Sequence, residues 1–398
     1  MSIATGTNIP TNGLALEYDM TNTTRSWQGA PTTNLVDPNW TSWGVDGSGQ
    51  GSIGTRTITG PFACTITDVA SNTRQSIYIT SGITASTTYT FSVQYQKLYG
   101  TPTLRFQIQA YNVGTYLGTM SFATTAELGI TDVDGWQTAK ITLTAPANCN
   151  RILWFMQDGD DYTAYTHSFN LANAQCEQQS FATPFCYPAR SNTQAILDAT
   201  RQNTITATSL TYASDNTFSF DGSTNYMGPG ALTGSYSQFT VSVWMYPTTV
   251  SNYRNPIDCN YNYNGITGNI GPRLEMNNAG NLIWMLSGNT SSNSVFDYYP
   301  VITSGMAANT WYNVVITRDA STLVSTYLNG SVVTNQESNP SSFVNVFSNV
   351  VIGKGFHLDS AATRSFVGKL PLTQIYNTAL TSAQVTQLFT AFRGRYGL

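Results

Sequence analysis

The sequence predicts an all-β protein of the sandwich or jelly-roll type, and three observations lead to this prediction. Apolar and polar residues alternate with a period of two in many short segments, as in strands with one buried face. Glycine and asparagine separate these segments. Only one convincing amphipathic helix is present, near the end of the chain. Many short strands bounded by turns are typical of β-sandwiches and jelly rolls.

The clearest strand lies at residues 104–110, where the even-numbered side chains are apolar and the odd-numbered ones are Arg or Gln. The same alternation occurs at residues 14–20, 89–97 and 239–245. Residues 326–333 predict a β-hairpin, because the dipeptide Asn329-Gly330 favours the tight turn that joins two antiparallel strands. Each of these strands should turn its apolar side toward a core.

The helix is predicted near the end of the chain by a capping pattern and an apolar stripe. Thr381 can cap it, and Gln384 three residues later completes a capping box. The stripe follows at helical spacing, at Val385, Leu388, Phe389 and Phe392. Gly394 is expected to end the helix. A second, weaker helical pattern covers residues 193–200.

The composition is unusually poor in charge. Charged residues make up 10% of the 398 residues, against about 25% in an average globular protein. Lysine is depleted where a surface is buried against partners, so four lysines in the whole chain favour an adhesive or assembled protein. A weakly charged soluble β protein is the alternative. The net charge of −4 and the absence of a basic run predict no nucleic-acid partner.

Cysteines and terminal signals add two expectations. The five cysteines match no zinc-binding spacing, so most should be buried apolar residues, although Cys176 and Cys186 could pair. The first 13 residues show neither the basic nor the apolar region of an export signal, and no run of 18 apolar residues occurs. We therefore expect no membrane insertion and no export through a signal peptide.

Six stretches carry a resemblance to a known family. They are FSFDGSTNYM (218–227), FTVSVWMYPTT (239–249), NTWYNVVITRD (309–319), TYLNGSVV (326–333), NVVIGKG (349–355) and FVGKLPLTQIYNTALTSAQVTQLF (366–389). In this order they resemble the laminin-G-like, concanavalin-like lectin sandwich of many phage structural proteins. The stretch at residues 11–27, TNGLALEYDMTNTTRSW, resembles the usual opening of the same module.

About 150 residues separate that opening from the rest of the module, and they resemble a second family. The stretches NLVDPNWTSWGV (34–45), TTYTFSVQYQ (87–96), DGWQTAKITLTAP (134–146) and FNLANAQCEQQSFATPFCYP (169–188) resemble a carbohydrate-binding-module-like jelly roll. The resemblance implies two modules, one inserted in the other. We expect residues 1–36 to supply the N-terminal strand of the lectin sandwich, 37–188 the jelly roll, and 189–398 the rest of the sandwich.

No sequence feature predicts catalysis. The two histidines lie in no metal or triad motif, and neither a nucleophile elbow nor a phosphate-binding loop is present. A lectin-like fold does not by itself imply an activity. We therefore expect a protein that is not an enzyme.

The resemblance, the low charge and the missing export signal together predict a structural protein of a bacteriophage virion, such as a head fibre, a capsid decoration or a tail-associated component. Such a protein would be made in the host cytoplasm and exposed outside after lysis. Its partners would be other capsid or tail proteins and its own copies, with a homotrimer favoured by analogy. The alternatives are a free or tail-borne adhesin that binds host glycans and a cellular surface protein.

Both resembled folds bind carbohydrate, and sugar sites combine exposed aromatic rings with amides and carboxylates. The strongest candidates lie in one tyrosine-rich segment, at Tyr253, Asp258, Asn260, Tyr261 and Tyr263. Two aromatic pairs follow, Trp40 with Trp43 and Tyr298 with Tyr299. The alternative for each is rim packing or a subunit contact.

One acidic cluster, Asp158, Asp160 and Asp161, could bind calcium through carboxylate oxygens. The same segment suits a solvated turn equally well. No other cofactor is predicted.

Overall fold

The computed structural model describes residues 9–44, 55–68, 74–100, 104–131, 135–158, 167–213, 217–233, 236–259, 270–287, 301–338, 347, 349–355 and 364–398. Among these residues, no helix is long and apolar enough to cross a membrane.

The chain forms two compact units, each with its own core. Unit 1 contains residues 1–30 and 192–398, and unit 2 contains residues 31–191. Unit 2 therefore interrupts unit 1 after its first strand, β1 (Leu14–Asp19). The predicted fold class, all-β with one sandwich inserted in another and a short C-terminal helix, is confirmed.

Unit 2 contains the next eleven strands. They are β2 (Thr32–Thr33), β3 (Thr55–Gly60), β4 (Ala63–Asp68), β5 (Arg74–Ile79), β6 (Thr88–Tyr99), β7 (Leu104–Asn112), β8 (Thr115–Ala123), β9 (Gln137–Thr144), β10 (Arg151–Asp158), β11 (His167–Glu177) and β12 (Ala189–Arg190). A four-stranded sheet has the order β5-β10-β7-β8, and a five-stranded sheet has the order β3-β4-β11-β6-β9. Strands β2 and β12, close to the two ends of the unit, pair with each other.

The core of unit 2 follows from the alternation of its strands. The side chains of Leu104, Phe106, Ile108 and Ala110 on β7 are all buried in one apolar cluster, as predicted from residues 104–110. Trp154 of β10 lies in the same cluster, with its ring centroid 5.1 Å from that of Phe106 and 5.4 Å from that of Phe91. Because these three residues come from β10, β7 and β6, they join the two sheets of the unit.

The remaining strands return to unit 1. They are β13 (Thr206–Thr208), β14 (Thr211–Tyr212), β15 (Phe218–Asp221), β16 (Tyr226–Gly230), β17 (Phe239–Pro247), β18 (Arg254–Asp258), β19 (Ile270–Met276), β20 (Leu282–Ser287), β21 (Val301–Thr303), β22 (Tyr312–Arg318), β23 (Leu323–Leu328), β24 (Ser331–Ser338), β25 (Val350–Ile352) and β26 (Val367–Tyr376). The helix α1 (Ser382–Arg393) follows.

Two sheets enclose the main core of unit 1. One has the order β14-β15-β26-β17-β22-β23-β24, with β1 also paired to β26, and the other has the order β13-β16-β25-β18-β19-β20-β21. Strand β1 runs antiparallel to β26, from Leu14 opposite Tyr376 to Asp19 opposite Leu372. The N-terminal strand is therefore an integral member of a sheet whose other strands lie almost two hundred residues or more along the chain.

Helix α1 packs on the outer side of the larger sheet. Thr381 and Gln384 form both hydrogen bonds of the predicted capping box. The ring of Phe389 stacks on Trp244 of β17 at 5.7 Å between centroids. At the predicted hairpin turn between β23 and β24, Gly330 has a φ of +75°, and a Cβ there would come within 2.7 Å of the Phe389 ring. Glycine is thus required both by the turn and by the helix above it.

The helix predicted at residues 193–200 is wrong, because the segment forms turns. Its backbone pairs instead with the start of the chain: Leu197 donates to the carbonyl of Ser26 at 2.8 Å, and Ala199 donates to the carbonyl of Glu17 at 2.7 Å. Hydrogen bonds to a distant strand have overridden the local helical pattern.

All five cysteines are free, and four of them are buried. Burial raises the pKa of the Cys64 thiol to about 12 and raises that of Cys176 as well. The possible Cys176–Cys186 disulfide is absent from the structure.

Candidate functional site

Several of the predicted site residues lie outside the described residues. They are Asn260, Tyr261, Tyr263, Tyr298 and Tyr299 among the glycan candidates, and Asp160 and Asp161 among the calcium candidates. Asp158 is the last residue of β10. Within the described part of the chain, no three His, Cys, Asp or Glu residues are grouped so that they could hold a metal ion.

The pair Trp40 and Trp43 lies in the core of unit 2, not on an exposed rim. The two rings retain 1% and 2% of their accessible surface, and their centroids are 4.9 Å apart. Both indole nitrogens donate to backbone carbonyls, Trp40 to Phe62 and Trp43 to Asp37, each at 2.9 Å. Neither ring offers a face to a sugar, because both are buried in the apolar core of unit 2.

Asp258 is also enclosed, on β18 of unit 1. It is fully buried, and its Oδ2 atom accepts two hydrogen bonds from Arg273, from Nε at 2.9 Å and from Nη2 at 2.8 Å. A carboxylate held in this way serves the packing of β18 against β19 and is closed to a ligand.

Tyr253 is the one described member of the predicted set that is exposed, with 39% of its surface accessible. The guanidinium of Arg364 lies 4.0 Å from the centroid of its ring and also pairs with Glu275. One face of Tyr253 is thus covered by an arginine of the same unit.

The larger group of exposed aromatic side chains lies in unit 2, on the outward side of the four-stranded sheet. We call this surface the aromatic face. Its exposed or half-buried residues are Arg74 and Tyr78 on β5, Arg151 on β10, Arg105, Gln107, Gln109 and Tyr111 on β7, and Tyr116, Thr119 and Phe122 on β8. By strand alternation Ser76, Leu153, Phe155 and Gln157 lie on the same side of the sheet, but they are buried.

Strand register places these residues in rows across the sheet. Arg151 is opposite Tyr111, which is opposite Tyr116. In the next row Tyr78 is opposite Leu153, and in the third row Phe155 is opposite Gln107. In the fourth row Gln157 is opposite Arg74 on one side and Arg105 on the other. Alternate residues along a strand are about 7 Å apart and neighbouring strands about 4.8 Å apart, so this side of the sheet measures about 20 Å by 14 Å.

Exposed rings on this face are linked by direct contacts. Tyr78, Tyr116 and Phe122 expose 38%, 52% and 43% of their surfaces. Tyr111 lies between two of them, 6.0 Å from Tyr78 and 5.6 Å from Tyr116 between centroids. The hydroxyl of Tyr111 donates to Oε1 of Gln109 at 2.8 Å. The face therefore combines apolar ring surface with oriented hydroxyl and amide groups.

Three arginines pack their guanidinium groups on aromatic rings of this side of the sheet, of which Tyr78 and Phe122 are exposed and Phe155 is buried. The guanidinium carbon of Arg151 is 3.6 Å from the ring centroid of Tyr78, that of Arg105 is 5.3 Å from Phe122, and that of Arg74 is 5.7 Å from Phe155. Such contacts hold long, charged side chains against a ring and in a defined orientation.

The positive charge of Arg105, at one end of the aromatic face, is balanced by the carboxylate of Glu127. Glu127 accepts hydrogen bonds from the backbone and the hydroxyl of Thr124, and these bonds together with the charge of Arg105 hold the pKa of Glu127 below its usual value. Arg105 is opposite Gln157, near the end of β10, whereas Arg151 is the first residue of that strand. Arg151 therefore lies at the other end of the strand, away from Glu127.

Sequence reasoning identified the strand at residues 104–110 but not the aromatic face. The outward Arg-Gln-Gln positions were already visible there as the polar side of the strand. Tyr78 and Arg151 come from strands 73 residues apart, and their contact follows only from the pairing of β5 with β10. The sequence did contain one signal: Tyr111 is an aromatic residue on the side of the strand where Gln107 and Gln109 are polar.

The sequence model of the concanavalin A-like lectin/glucanases superfamily matches residues 220–386, which lie in unit 1. This match confirms the predicted lectin-like character of that part of the chain. No curated protein matches the chain.

Solved structures show only remote similarity. The botulinum neurotoxin serotype D binding domain is 18% identical with a TM-score of 0.35, covering 50% of this chain and 50% of that one. The Ruminococcus gnavus IT-sialidase CBM40 bound to alpha2,3 sialyllactose is 16% identical with a TM-score of 0.33, covering 38% of this chain and 82% of that one. The chain thus spans about half the length of the neurotoxin domain, and neither similarity carries an argument about function.

Proposed function

We propose that this protein binds glycans through the aromatic face of unit 2 and has no enzymatic activity. The observation that carries the proposal is the group of exposed rings on one sheet, Tyr78, Tyr116 and Phe122, beside glutamine and arginine side chains. A sugar ring has an apolar C–H side that can pack on an aromatic ring, and its hydroxyl groups need amide or guanidinium partners.

Exposed aromatic groups rimmed by polar residues, as on the aromatic face, commonly mark interaction sites. Glycoside hydrolysis needs two carboxyl groups at a set separation, and none of the outward residues described for this sheet is acidic. The face therefore suits recognition without cleavage.

The test is a glycan microarray followed by titration calorimetry on the best ligand. Tyr116→Ala should weaken binding about tenfold, since the loss of one stacked ring corresponds to about 1.4 kcal/mol. Trp136→Ala is the matched control, because Trp136 is 50% exposed but precedes β9 of the other sheet. Equal affinity in wild type and Tyr116→Ala, or release of reducing ends from the ligand, would contradict the proposal.

A second proposal concerns where the protein acts. The charged fraction of 10% favours an assembled surface, so we propose a structural component of a bacteriophage virion, a head fibre, capsid decoration or tail-associated protein. In this role it forms a homotrimer, contacts capsid or tail proteins, and presents its aromatic face to host-surface glycans. The competing role is a free or tail-borne adhesin.

The virion role is tested on purified particles. Mass spectrometry should detect the chain in the particle, and cryo-electron microscopy should show its density at symmetry-related positions. Light scattering of the free protein should give the mass of three chains. A monomer that is absent from particles would rule out the structural role while leaving glycan binding intact.

A further inference from the structure

Arg151 occupies a distinctive position at one end of the aromatic face. Its guanidinium stacks on Tyr78 at 3.6 Å, and Nη1 donates one long hydrogen bond, 3.5 Å, to the carbonyl of Val113. Its Nε is buried and has no hydrogen-bond partner in the described structure. The side chain is thus held mainly by ring contact, and among the described residues its Nη groups donate only that one long hydrogen bond.

The sequence around this end carries no negative charge. Three segments build it: the end of β5 with its following loop (76–87), the β7–β8 hairpin (107–123) and the start of β10 with its preceding loop (143–155). Arg151 is the single charged residue in all three segments. No carboxylate from these strands therefore neutralises it.

Unit 2 as a whole carries a net negative charge. Residues 31–191 contain seven Lys and Arg against ten Asp and Glu, and three of the seven basic residues lie on the aromatic face. The net negative charge of the unit would repel a polyanion. An anionic ligand would therefore bind only where positive charge is concentrated.

We infer that the end of the aromatic face formed by Arg151 with Tyr78, Tyr111 and Tyr116 binds a carboxylate-bearing sugar, a uronic or sialic acid residue of an acidic glycan. This inference rests on the proposed glycan binding and specifies the class of ligand. The planar guanidinium can donate two parallel hydrogen bonds to a carboxylate, a geometry that a neutral sugar does not satisfy. Tyr116, the most exposed ring of the row, receives the apolar side of the same or the adjacent sugar.

The experiment compares matched acidic and neutral ligands on one array. Uronate oligosaccharides are printed beside their methyl esters, sialylated oligosaccharides beside the desialylated forms, and sulfated oligosaccharides beside unsulfated ones. Wild type should bind the carboxylate members at least about tenfold more tightly than their neutral partners. Raising the salt concentration from about 50 to 300 mM should reduce this preference severalfold, because screening weakens a charge pair at the surface.

Variants assign the preference to its residue. Arg151→Gln should remove the acid preference, so that this variant binds each acidic member and its methyl ester equally well. Arg151→Lys should retain part of the preference, because it keeps the charge but loses the two-pronged geometry. Lys140→Gln, which removes one charge from the other sheet of unit 2, should change nothing. The methyl esters remove the carboxylate from the ligand side, so the test does not depend on how the variants fold.

Each outcome has one meaning. Equal binding of acidic and neutral members would overturn the inference and leave glycan binding in place. Binding of sulfated members alone would overturn the carboxylate specificity. An acid preference that persists in Arg151→Gln would overturn the role of Arg151. Failure to bind any glycan would overturn both the inference and the proposed function.

Discussion

At the scale of single residues, unit 1 buries a carboxylate, that of Glu17, in its first strand. Glu17 of β1 accepts a hydrogen bond from Nε2 of Gln374 at 2.8 Å. Burial raises the pKa of Glu17, and the nearby charges of Asp19 and Asp198 act in the same direction. The amide oxygen of the same glutamine, Oε1 of Gln374, is buried and has no hydrogen-bond partner in the described structure.

These contacts predict that Glu17→Gln stabilises the protein at neutral pH. A raised folded-state pKa means that the contribution of Glu17 to stability is fully present below its unfolded pKa and is lost as the pH rises through the folded value. Glutamine keeps the shape, carries no charge and can donate to Oε1 of Gln374. Thermal unfolding should show little difference between variant and wild type near about pH 4, and a higher midpoint for the variant at pH 7 to 8.

Glu127→Gln is the matched control with the opposite sign. The pKa of Glu127 is lowered, chiefly by the backbone hydrogen bond from Thr124. Its stabilising effect is present above its unfolded pKa and is lost as the pH falls through the folded value. This variant should therefore be less stable than wild type at neutral pH. Parallel behaviour of the two variants would contradict the assignment for Glu17.

At the scale of elements, α1 illustrates a segment whose limits are encoded locally. The backbone of Gln384 donates to Oγ1 of Thr381 at 3.3 Å, and its side chain accepts from the backbone of Thr381 at 2.9 Å. These bonds satisfy groups that the first turn of a helix leaves unpaired. The buried face of α1 then covers Trp244, Val315 and Leu372.

Thr381→Ala should destabilise unit 1 by about 1 kcal/mol, the typical cost of a lost N-cap. Thr390→Ala is the control, because it makes the same chemical change at an exposed position inside the helix. Alanine has the higher helix propensity, so this control should be neutral or slightly stabilising. Denaturant unfolding measures both, and equal losses would show that the cap makes no separate contribution.

At the scale of the whole molecule, the two units have separate apolar cores with no residue in common. Phe106 lies in the core of unit 2 and Phe239 in the core of unit 1, and both are fully buried. We expect calorimetry to resolve two unfolding transitions. Phe106→Ala should lower one and Phe239→Ala the other, each by about 3–5 kcal/mol of stability. A single transition that responds alike to both substitutions would contradict this expectation.

The sequence by itself determined the features that depend on near neighbours. The alternation at residues 104–110 identified the buried side of β7, Asn329-Gly330 identified the turn between β23 and β24, and Thr381 with Gln384 located the start of α1. Each depends on backbone geometry and hydrogen bonds within a few residues, which one stretch of sequence can specify. Family resemblance added the inserted arrangement.

Only the tertiary structure decided what each aromatic residue does. Trp40 and Trp43 are as aromatic as Tyr78 and Tyr116, yet the first pair is buried in the core of unit 2 and the second pair is exposed. The difference arises from strand register, which places Tyr78, Arg151, Tyr111 and Tyr116 side by side although they are up to 73 residues apart. Register is set by packing between distant strands, so the composition of a local segment cannot reveal which rings remain accessible.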